Sequence, residues 1–108
     1  MLQLARVYRY VEEADTAMGQ GRYVEAAAAY QLAVDLAPGI AELQVWAAIA
    51  LLHMGRKGEA MTLFGAAFLA DPGLVELVPR VAALGLVQAD PVVLERIAVL
   101  GPRRGDQV

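Results

Sequence analysis

"GRYVEAAAAYQLAVDLAPG", residues 21–39, is a helical stretch with four consecutive alanines that halts at Pro38-Gly39. Proline lacks the N–H that the helical ladder needs and clashes with the preceding turn, so the run ends there. The chain then reads "GRKGEAMTLFGAAFLADPG" over residues 55–73. Gly21, Arg22, Glu25, Ala26, Ala33, Pro38 and Gly39 recur as Gly55, Arg56, Glu59, Ala60, Ala67, Pro72 and Gly73, and Tyr30 is answered by Phe64. Upstream, Val11 and Ala14 return as Val45 and Ala48, and Ala14 returns once more as Ala82. Every offset is a multiple of 34 (55 − 21, 45 − 11, 82 − 48). Repetition at this length means stacked helix pairs, none of which buries its apolar face alone.

The alanines are the contact points of such a stack. Ala14, Ala26 and Ala33, with Ala48, Ala60 and Ala67, mark where helix backbones approach closely, while Tyr30 and Phe64 fill the gaps beside them. Gly21 and Gly55 supply the positive φ that ends the first helix of each pair. The pattern predicts helices over 3–19, 23–37, 41–54, 57–70, 75–84 and 91–100. Pro79 demands either a start near Val78 or a kink in the fifth. Asp90-Pro91 reads as an N-cap followed by the proline favoured in the first turn.

Here the chain resembles the tetratricopeptide repeat family. Its second-helix pattern, Ala-x3-Phe followed by Pro, is met by Ala26, Tyr30 and Pro38, then by Ala60, Phe64 and Pro72. The first-helix pattern departs: the family's Trp falls on Tyr10 and Gln44, and its Tyr on Ala17 and Leu51. The resemblance implies an all-α, right-handed helix-turn-helix solenoid. Residues 1–100 would be a single domain, with repeats at 6–39 and 40–73 and a degenerate capping pair at 74–100, followed by a polar tail at 101–108. Residues 81–97, "VAALGLVQADPVVLERI", are also similar to the C-terminal repeat region of bacterial proteins with an N-terminal-nucleophile-hydrolase-like domain of unknown function.

Composition narrows the chemistry. The chain of 108 residues is 58% hydrophobic and 19% charged, with a mean hydropathy of +0.47. Its longest strongly apolar stretches fall far short of the roughly 20 residues a bilayer span needs, and the N-terminus has no basic-then-apolar leader pattern. There is no cysteine, serine or asparagine, one lysine (Lys57) and one histidine (His53). Thiol catalysis and thiolate metal sites are excluded. A lone histidine provides no metal site, so no metal, cofactor or catalytic residue is expected. A net charge of −3 with scattered arginines offers no footprint for nucleic acid. A cytoplasmic protein with neither nucleic-acid nor membrane partners is the simplest reading.

Four features carry no chemistry in this reading. His53, in the last turn of a helix, is expected to be partly cationic against the helix dipole. Glu12, Glu13 and Asp15 form a solvated acidic face, because consecutive helical side chains diverge. Arg104-Gly105-Asp106 is a short tripeptide match in a charged tail, and "GQG" at 19–21 is a helix end.

The resemblance also implies where a partner would sit, because the concave surface is lined by the first helix of each pair. The inward positions are Tyr8, Val11, Asp15 and Met18; then Glu42, Val45, Ile49, Leu52 and His53; then Glu76, Ala83, Leu86 and Val87. One subset of the family clamps chaperone-tail carboxylates with basic and amide residues. Val11, Asp15, Val45 and Ile49 do not suit that task. An apolar groove with acidic points suits an apolar or amphipathic peptide or helix. The expected function is a non-catalytic interaction or assembly module. The alternatives are an accessory C-terminal domain of a larger hydrolase-like enzyme and a small secretion-type chaperone. Leu4, Val7, Tyr8 and Val11 form an apolar stripe on the first helix, which is expected to be covered by a second copy or an upstream domain.

Overall fold

The computed structural model describes residues 4–101 and contains no strand among them. Residues 1–3 and 102–108 lie outside the described residues, including nearly all of the expected polar tail and its Arg104-Gly105-Asp106. Helices α1 (Leu4–Gly19) and α2 (Tyr23–Leu36) form the first pair, and α3 (Ala41–His53) and α4 (Lys57–Ala70) the second. A 3₁₀ turn (Pro72–Glu76) leads into the short α5 (Leu77–Ala83), and α6 (Pro91–Ala98) completes the third pair. Pro79 sits in the first turn of α5, where its missing N–H costs no ladder bond. Successive helices pack in order, α1 on α2, α2 on α3, α3 on α4, and α4 then meets the 3₁₀ turn and α6.

Each first helix ends in the same hydrogen-bonded turn. Gly21, Gly55 and Gly85 take φ of 75°, 80° and 79°. The following N–H reaches back to the carbonyl five residues earlier: Arg22 to Ala17 at 2.8 Å, Arg56 to Leu51 at 3.0 Å, Leu86 to Val81 at 2.9 Å. This satisfies carbonyls that the helix end would leave orphaned, and the left-handed residue is glycine each time. The second helices end where Ala37 and Asp71 leave the helical region, at φ of −137° and −143°, before Pro38 and Pro72. At α6 the Asp90 carboxylate accepts the Val93 N–H at 3.0 Å, as the N-cap reading predicts.

The alanines lie at the junctions. Ala14, Ala17, Ala26, Ala29, Ala47 and Ala50 surround Tyr30 in one buried cluster spanning α1, α2 and α3. Ala48, Ala60 and Ala67 join Phe64, Phe68 and the valines of the third pair in the next. Helix α3 is the centre of the stack, with seven of its thirteen residues buried.

Two expectations change. Val7 is buried against Ala33, Val34 and Leu43, so the bare stripe on α1 narrows to Leu4 and Tyr8. The third pair is also out of register with the first two. Ala14 and Ala48 stand seven residues before Gly21 and Gly55, and the residue seven before Gly85 is Val78, not Ala82. Val78 is buried and Ala82 only partly so. The second helices nonetheless start 34 residues apart, at Tyr23, Lys57 and Pro91. The four residues removed from α5 reappear in a longer connection over 86–90, which turns back across α3.

Candidate functional site

That connection closes one end of a pocket of about 560 Å3. Helix α1 supplies Val11, Asp15 and Met18, spaced four and three residues apart and therefore on one face. Helix α3 supplies Glu42, Leu43, Trp46 and His53, α2 contributes Tyr23 and Tyr30, and Gly85, Leu86 and Gln88 form the far wall. The lining is mainly apolar and aromatic, with a few polar groups, as is usual for a binding cleft. A depression of about 610 Å3 beside α1 and α2 is lined instead by charged side chains such as Arg9, Glu12, Glu13 and Glu25, with alanine the only apolar side chain among the described residues that line it. There Arg22 pairs with Glu25, as Arg56 pairs with Glu59 in the second repeat. It offers no apolar anchor; the candidate site is the cleft where α1, α2, α3 and the 86–90 connection converge.

Six expected groove residues meet in this pocket: Val11, Asp15, Met18, Glu42, His53 and Leu86. Tyr8 is exposed outside it, as are Ala83 and Glu76, the latter bridged to Arg80 at 3.8 Å. Val45, Ile49, Leu52 and Val87 are corrected. They are buried together with Val78 and Val81 in the core between the second and third pairs, and Val45 and Ile49 are fully inaccessible. The third pair and its folded-back connection lie where the open groove was expected, and Val87 joins the same buried cluster as Ile49.

The residues missed are Gly19, Tyr23, Tyr30, Leu43, Trp46, Gly85 and Gln88. For Trp46 a signal existed. It lies four residues after Glu42 and seven before His53, on the same helical stripe, although it is displaced from the family's tryptophan position. No sequence pattern marks Gln88, which enters through a long-range contact.

Two polar contacts define the site's electrostatics. The Tyr30 hydroxyl donates to Asp15 Oδ1. Burial first, then this bond and the carboxylate's charge, push the phenol far above its ordinary range, so it remains a donor. His53 Nε2 accepts the Gln88 N–H at 3.0 Å, and the ring stands edge-on to Tyr23 with centroids 4.6 Å apart. An acceptor nitrogen must be unprotonated, so the proton sits on Nδ1, which is buried without a partner. Burial lowers the His53 pKa. This overrides the helix dipole that led us to expect a partly cationic ring. Protonation would also set two donors, Nε2–H and the Gln88 N–H, against each other.

The pH dependence follows from that direction. Above the ordinary imidazole value of 6.5 both folded and unfolded histidine are neutral and the contribution is fully present. As pH falls below 6.5 the unfolded chain binds the proton more readily, so stability drops towards the folded pKa. Thermal melts are expected to show falling stability below pH 6.5, and His53→Gln should remove that part of the slope. An unchanged slope in the variant would contradict the assignment.

Among the described residues, no group of three or more histidine, aspartate or glutamate side chains is placed to hold a metal, and no helix is long and apolar enough to cross a membrane. The family model described as "Tetratricopeptide repeat" matches residues 17–85. The chain matches no curated protein and no solved structure.

Proposed function

Because the chain belongs to the tetratricopeptide repeat family, we propose that it is a non-catalytic interaction module receiving an apolar or amphipathic peptide or helix in the pocket between α1, α3 and the 86–90 connection. Tetratricopeptide repeats generally mediate protein–protein interaction, typically as non-catalytic scaffolds. The carrying observation is the pocket itself, in which Met18, Leu43, Trp46 and Leu86 provide apolar walls and Asp15, Glu42 and His53 supply polar points. Apolar walls supply binding energy through burial, and the polar groups fix orientation.

Leu86 is half exposed on the pocket wall. Leu86→Glu is expected to weaken a partner captured from native cells by about tenfold or more, or ~1.4 kcal/mol. Its helical circular dichroism and melting temperature should stay near those of the parent. Leu32, exposed on α2 and outside the pocket, is the matched control, and Leu32→Glu should bind normally. Loss at Leu32 with retention at Leu86 would place the interface elsewhere.

A further inference from the structure

Resting on that reading of the pocket, we infer that its occupant carries a cationic side chain, arginine in preference to lysine, flanked by apolar residues. The charge on the walls is of one sign. Among the described residues, Asp15 and Glu42 line the pocket, and no lysine or arginine does. Glu42 has no hydrogen-bond or ion-pair partner among the described residues, and it sits in the first turn of α3, where the helix dipole favours a carboxylate. Asp15 is committed to the Tyr30 hydroxyl through one oxygen. A carboxylate has about four acceptor positions, so capacity remains. The Tyr30 bond orients the group and leaves its charge uncompensated.

The rest of the lining suits the stem and face of such a side chain. Trp46 and Tyr23 present aromatic rings in the same pocket as the carboxylates, and Met18 and Leu43 present apolar surface. A long basic side chain lays its methylenes on apolar walls and places its charge against carboxylates and ring faces. Guanidinium is planar, weakly hydrated and able to fork onto a carboxylate while stacking on an aromatic ring, hence the preference for arginine. The same walls reject an acidic segment, because a buried like charge next to Asp15 and Glu42 is repelled. The chain's net charge of −3 acts in the same direction at long range.

The test is a randomised dodecapeptide display library sorted on the immobilised chain, with binding of the selected peptides followed by tryptophan emission. Trp46 is the only tryptophan and lines the pocket, so its emission reports occupancy there. Selected peptides are expected to carry arginine, more often than lysine, between apolar residues and to shift that emission. Changing the peptide's arginine to glutamine should weaken binding about tenfold, and Glu42→Gln in the protein should remove most of that difference without altering the melt. Asp15→Asn, which keeps an acceptor for Tyr30, is the second variant. Selected peptides that shift the emission without enrichment in basic residues would overturn the cationic preference and leave the pocket reading intact. An arginine preference unchanged in both variants would do the same. A library yielding no peptide that perturbs Trp46 would overturn the pocket reading and this inference with it.

Discussion

Ile49→Glu is expected to lower the melting temperature by roughly 15 °C or more, because it places a carboxylate in a closed apolar core. Ile49 is fully buried among Val45, Leu52, Phe64 and the valines of the third pair, with no basic partner in the cluster. An uncompensated buried charge costs on the order of 3–5 kcal/mol, a large part of the 5–15 kcal/mol that holds a small domain together. The group would take up a proton or the third pair would detach, and the stability is lost either way. Calorimetry with circular dichroism checks this. A variant that melts like the parent but fails to bind would instead make Ile49 a groove residue.

Ala60→Phe and Ala26→Phe should each lower the melting temperature by about 5–20 °C, from overpacking of ~1–3 kcal/mol. Both alanines have zero accessible surface, at the junction where α1, α2 and α3 meet and at its counterpart one repeat on. A ring there must push helix backbones apart, because the neighbours are themselves alanines and aromatic rings with no free volume. Glu25→Gln is the control within the same repeat. Its partner Arg22 and Glu25 itself are both well exposed, and a surface pair of this kind contributes about 0–1 kcal/mol. Equal tolerance at all three positions would contradict the observed register.

The two predictions divide along what could be read before folding. Ala26 and Ala60 announce themselves through the 34-residue echo, because a helix contact too close for a larger side chain leaves small residues in the sequence. Ile49 does not, because an apolar residue on an inward face looks the same whether a partner or the chain itself covers it. His53 is a similar case. Its position at a helix end was legible, but its neutral state depends on burial and on an N–H from Gln88, 35 residues away.

The sequence by itself determined the repeat, the helices and their ends, since period, proline and glycine act within a few residues of where they stand. The family resemblance, carried over residue by residue, also named Val11, Asp15, Met18, Glu42, His53 and Leu86, which line the pocket. Only the tertiary structure decided how the third pair sits. With α5 cut to seven residues and Gly85 four places earlier than the period requires, the surplus chain folds back over α3. Val87 enters the buried cluster that holds Ile49, and the Gln88 N–H reaches His53. That contact splits the inward face of α3 in two, so that Val45, Ile49 and Leu52 are sealed while Glu42, Trp46 and His53 remain on the pocket. Helical spacing tells which residues share a face. What covers that face is settled by long-range packing, which no local pattern encodes.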